Sequence, residues 1–136
     1  MKTRLLMTLS ALVLGILGAA ATFLPQEILA YGGMRAGTLG VLLMQMLGAA
    51  YLGFAMLNWM NRENLMGGIY NRPAALGNFL HFTIVALALV KDALGGLIEP
   101  GLMAGAVLFS VFAVWFGLVL FGNPLPSKPS PSKEGA

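Results

Sequence analysis

The side chains able to do chemistry are few, and most lie in one stretch, Leu57–Phe82, LNWMNRENLMGGIYNRPAALGNFLHF. It holds the only histidine, His81, with Asn78 before it, Asn58 and Trp59 at its start, and Arg62 and Arg72 between. A neutral imidazole can exchange or donate a proton near pH 7. The carboxamides of Asn78, Asn58 and, further back, Gln45 could orient it or a ligand. The inventory stops there. The chain has no paired carboxylates, no metal-ligand spacing and no nucleophile–base set, and no cysteine to support thiol chemistry, disulfides or Cys-ligated zinc. A single titratable group supports proton transfer but not hydrolysis or group transfer unaided. The residues therefore lean away from an enzyme, name no catalytic residue, and imply no cofactor or metal.

Each candidate also has a plainer reading. Gln45, Asn58, Asn78 and His81 could simply hydrogen-bond a neighbouring helix. Arg62 and Arg72 flank Gly67-Gly68 in the loop Asn61–Arg72, NRENLMGGIYNR, just before a helix with Pro73 in its first turn. Such a loop could hold a phosphate or lipid headgroup. It lacks the GxGxxG and GK[ST] spacings of nucleotide loops. Membrane anchoring with Arg62–Glu63 charge balance explains the same residues.

The elements that position these groups follow from composition. Of 136 residues 58% are hydrophobic and 10% charged, against about 25% charged in a soluble domain. Too little polar surface is available to cover a globule in water, so the class is an integral membrane protein, all-α because a helix satisfies its own backbone in lipid. The net charge of +3 does not point to nucleic acid, because the basic residues stand singly between apolar runs.

Four runs are long enough to cross a hydrocarbon core of about 30 Å: about 5–24, 36–60, 74–94 and 101–121. They predict an up-down four-transmembrane-helix bundle filling a single membrane domain, 1–122. The first run, with Lys2 and Arg4 before it and Ala19-Ala20-Ala21 near its end, resembles a signal peptide, but the spans that follow favour an uncleaved helix. Ala11, Gly15 and Ala19 give it a packing face. Pro25–Tyr31 reads as a short interfacial turn or helix stopped by Gly32-Gly33. On the second span, a period of 3.6 puts Gln45, Gly48, Ala49, Leu52, Met56 and Trp59 on one face, with Gln45 turned toward other helices because a lone amide facing lipid is costly. On the third, Asn78, His81, Val85, Leu89 and Asp92 share a stripe, with Asp92 solvated beside Lys91 at the far interface. The fourth span is nearly featureless. The Pro/Ser/Lys tail 123–136 cannot bury apolar surface and is expected to be disordered.

Six of the eight basic residues (Lys2, Arg4, Arg62, Arg72, Lys128 and Lys133) fall on one side of this topology and two, Arg35 and Lys91, on the other. The positive-inside rule then places both termini and the Asn61–Arg72 loop in the cytoplasm of an inner membrane.

Four short spans, the Leu-Pro-Gln-Glu turn at Leu24–Glu27 and the block NWMNRENLMGGIYNRP…GNFLHF resemble the DoxX-like group of small bacterial four-helix membrane proteins, over roughly residues 5–121. That resemblance implies a four-helix membrane fold. For some members it implies a link to quinone-dependent oxidation beside a separate catalytic subunit. No residue here matches a catalytic motif, so no catalytic role carries over.

The leading expectation is a non-catalytic multi-pass membrane protein that serves as an accessory subunit or binds a lipid or quinone-like molecule. One alternative is a membrane enzyme, or enzyme subunit, using His81 for proton transfer on an apolar substrate. A second is an oligomeric small-molecule transporter. The expected partners are the lipid bilayer, a quinone or lipid ligand, and a membrane subunit or further copies of the chain.

Overall fold

The computed structural model describes residues 2–63, 72–96 and 99–122. The Gly67-Gly68 bend and the 123–136 tail lie outside the described residues. The described residues form five helices: α1 Lys2–Phe23, α2 Pro25–Tyr31, α3 Thr38–Asn61, α4 Arg72–Leu94 and α5 Pro100–Gly122. Pro25 and Pro100 open their helices, where the missing N–H breaks no bond. α2 closes with Gly33 in the left-handed region (φ 71°). The Gly33 N–H donates to the Ala30 carbonyl (3.0 Å) and the Met34 N–H to that of Leu29 (2.9 Å), which satisfies carbonyls that the helix end leaves free. Gly96 (φ 98°) closes α4 in the same conformation.

The four long helices run up and down. α1 packs closely along α3 and α4 along α5, while the two pairs meet more loosely, α1 against α5 and α3 against α4. α2 lies across the end of α1 and α3, burying Pro25 and Leu29. The close approach of α1 to α3 is made by two glycines. A Cβ on Gly18 would stand 2.9 Å from the Gly48 carbonyl oxygen and the Leu52 nitrogen. One on Gly48 would stand 2.8 Å from the Gly18 carbonyl oxygen and the Thr22 nitrogen, and closer still to the Thr22 hydroxyl. Backbone meets backbone at this crossing, the arrangement that small residues permit in membranes. The small-residue line foreseen on α1 is close to the mark, since Gly15 lies in ordinary contact distance of Ala55, but the tightest point is one turn further on.

Rings fill the centre of the bundle. Phe109, Phe112 and Phe116 recur at helical spacing along α5, and Phe82 of α4 stacks on Phe112 (4.9 Å between centroids) and Phe116 (5.5 Å). Leu6 and Leu14 from α1 and Tyr51 from α3 complete the core.

Outward the molecule is apolar all round: Ile16 is 69% exposed, Met60 71%, Leu87 65% and Leu118 69%. A water-soluble fold cannot leave four such faces bare. Each of the four long helices has 21 to 24 residues able to cross a membrane, about 32–36 Å at 1.5 Å per residue. The chain is a multi-pass membrane protein built as an all-α four-helix bundle.

Helical phase is where the structure departs from the expectation. The inward face of α3 is Gly48, Tyr51, Ala55 and Asn58, roughly a quarter-turn from the face anticipated at 100° per residue. Of the anticipated set only Gly48 is buried, and Gln45, Ala49, Leu52, Met56 and Trp59 face outward. On α4 the buried residues are Ala75, Asn78, Phe82 and Ala86. His81, Val85 and Leu89 border that face, while Asp92 is exposed, as anticipated. The anticipated phase followed the polar and small residues, whereas packing followed the large rings of the opposing helices.

Candidate functional site

Two polar features lie within the bundle, one above the other. The first joins three helices. Asn58 on α3 and Asn78 on α4 pair reciprocally: the Asn58 Nδ2 donates to the Asn78 Oδ1 (2.8 Å) and the Asn78 Nδ2 donates back to the Asn58 Oδ1 (2.6 Å). The Asn78 Nδ2 also donates to the Ala74 carbonyl (2.8 Å), a pure acceptor, which fixes the orientation of both amides. The second Asn58 Nδ2 proton goes to Ser10 Oγ on α1 (3.0 Å), and Ser10 donates to the Met7 carbonyl (3.1 Å). All three side chains are fully buried. Both protons of each amide and the Ser10 hydroxyl proton are engaged, so the network is closed. Its chemistry is that of a clasp between the α1–α3 and α4–α5 pairs. Neither asparagine has a proton to give His81 or a ligand.

The second feature is His81. It is the tenth residue of α4, about 13 Å along the axis from Arg72. Its imidazole is ringed by aromatics. Phe54 stacks on it at 4.8 Å, Tyr51 meets it edge-on at 5.3 Å, Phe82 at 5.5 Å, and Phe109 lies at 6.2 Å. The His81 Nε2 is buried and has no hydrogen-bond partner. A buried ring nitrogen without a partner is unusual, because native interiors satisfy nearly all such atoms. Depending on tautomer, Nε2 offers a donated proton or a lone pair. Among the described residues the other buried side-chain polar atoms without a partner are the Thr22 and Thr83 hydroxyls and the Arg62 Nη1.

The remaining candidates sit elsewhere. Gln45 is on the exterior of α3, contrary to the expectation that it faces the other helices. Trp59 is outward as well, lining a shallow apolar groove with Ala11, Leu12, Leu52, Ala55 and Met56. The Arg62 guanidinium lies 3.8 Å over the Trp59 ring and 3.7 Å from Glu63, whose carboxylate also faces Arg4 at 3.7 Å. Arg72 begins α4, and most of the loop between the two arginines lies outside the described residues.

Sequence reasoning therefore identified His81, Asn58 and Asn78 but did not connect Ser10, Tyr51 or Phe54 to them. Among the described residues Tyr51 is the only tyrosine within a long helix, and Ser10 is a hydroxyl in the first half of an apolar run whose other hydroxyls are only Thr8 and Thr22. Those two oddities were the available signal. Comparison with family models, with curated proteins and with solved structures finds no match to this chain.

Proposed function

We propose that this chain is a non-catalytic bacterial inner-membrane protein, both termini cytoplasmic, that binds a small apolar molecule with a planar hydrogen-bonding head, of the quinone kind, at His81. It serves as a binding or accessory subunit within the DoxX-like group. The observation that carries this reading is the buried, unpartnered Nε2 set among four rings. A carbonyl on the head accepts from Nε2–H, or a hydroxyl donates to it, and the rings supply stacking surface. Phe54, only partly buried and stacked on the imidazole, holds the place a planar head would take. It stands where α3 and α4 are in looser contact, the side on which a molecule dissolved in lipid can enter. Support for the orientation is the six-to-two division of basic residues. Binding is favoured over proton transfer because the imidazole's ring neighbours, Tyr51 apart, have no proton to exchange.

The test is native mass spectrometry of the full chain in mild detergent with a decyl-substituted benzoquinone. Wild type is expected to hold one molecule. His81→Phe keeps a flat ring of similar size and loses one hydrogen bond, for about tenfold weaker binding. Phe54→Ala, which opens the imidazole face, is expected to bind at least as well as wild type. Equal binding by wild type and His81→Phe, or none by either, would sink the proposal.

A further inference from the structure

Gln45 is the polar anomaly on the outer surface. It is the eighth residue of α3, about 10 Å along the axis from Thr38, and it faces out of the bundle among Leu42, Met46 and Ala49, all exposed. α3 is also the span least covered by its own chain: 11% of its most apolar stretch is buried, against 39%, 22% and 33% for α1, α4 and α5. A carboxamide in hydrocarbon has no water to bond, so leaving it against lipid tails is costly. Beside it the surface is small. Gln45, Ala49, Gly53 and Met56 lie within about 80° of one another on the helix, and a Cβ on Gly53 would meet nothing within 4 Å. Small residues in this register let a second helix come close.

We propose that a second copy of this chain covers this face, in the same topology, across a two-fold axis along the membrane normal. Symmetry brings each Gln45 to the same depth as its counterpart, and a two-fold interface presents one patch to itself. A carboxamide carries both donor and acceptor, so two glutamines pair reciprocally, as Asn58 and Asn78 already do inside the chain. A lipid tail has no such group at that depth, and an unrelated protein would need its own polar residue at the matching level. Gln45 thus selects a second copy over other occupants. The face lies away from Tyr51 and His81, so this inference does not rest on the binding proposal.

The chain has no cysteine, so single-cysteine variants read the interface directly in native membranes under a lipophilic oxidant. Ala49→Cys and Met56→Cys are expected to give disulfide-linked dimers, while Leu87→Cys on α4 and Val114→Cys on α5 stay monomeric. Adding Gln45→Leu to Ala49→Cys is expected to lower dimer affinity about tenfold. That change places an apolar side chain against lipid, so folding is not at risk. The proposal is overturned if Ala49→Cys cross-links no better than Leu87→Cys, if it links to a band of another mass, or if Gln45→Leu leaves the dimer fraction unchanged.

Discussion

Gly48→Leu is expected to push α1 off α3 and leave little folded protein. The position allows no side chain at all, because the first atom added would strike the Gly18 carbonyl oxygen and the Thr22 nitrogen, both backbone. A flexible side chain can swing aside, but two helix backbones in van der Waals contact cannot without opening the whole crossing. Overpacking of a well-filled site costs about 1–3 kcal/mol, more when backbone must move. Gly48→Ala, which adds only that first atom, belongs near the top of that range, and the leucine variant beyond it. Gly15→Ala is the internal control. It lies three residues from Gly18 on the same helix, and the added atom would sit at an ordinary 3.8 Å from the Ala55 Cβ. Reversible unfolding in mixed micelles should rank wild type and Gly15→Ala together, then Gly48→Ala, then Gly48→Leu. A Gly48→Leu variant as stable as wild type would show that the helices do not cross there.

The second large effect belongs to the clasp. Asn58→Leu leaves the Asn78 carboxamide oxygen buried without its donor and takes the amide proton away from Ser10. Interhelical hydrogen bonds in membranes average about 0.6 kcal/mol and reach about 1.7, so the bonds alone explain little. Orphaning a buried polar group adds about 1–3 kcal/mol, and that term dominates. Asn58→Leu should therefore cost about 2–3 kcal/mol. Asn58→Leu with Asn78→Leu should cost distinctly less than the two single changes summed, since no amide is then left stranded. A double-mutant cycle measures the difference directly, and strict additivity would contradict the paired geometry. Any folded Asn58→Leu protein should still bind the quinone probe, because the clasp's amides do not reach His81.

The fold class was readable because one physical demand outweighs the rest. A backbone in hydrocarbon must bond to itself, so each 20-residue apolar run had to be a helix. Helical phase was less readable for the same reason. In water the polar face marks the outside, but in lipid inside and outside are both apolar, and the period of 3.6 has little contrast to reveal. Gln45 shows the consequence: its polarity argued for the interior, while the ring packing of Tyr51 with Phe109 (6.1 Å between centroids) rolled the helix so that it faces out. Asn58 and Asn78 stood out as candidates by residue type and position. Their exclusive pairing depends on distances of 2.8 and 2.6 Å that spacing alone does not give. The aromatic surround of His81 was hidden because Tyr51, Phe54 and Phe109 come from two other helices.

The central claim is that the His81 Nε2 is kept free to bond the head of an apolar ligand. Because the chain has one histidine, 15N labelling of that residue type gives a single imidazole, and its Nε2 resonance reads that atom's hydrogen bond. In bilayer nanodiscs the resonance should shift progressively as the decyl-substituted benzoquinone is added, and should do the same in the Asn58→Leu variant. A resonance that stays in place while the probe accumulates in the same nanodiscs would contradict the account.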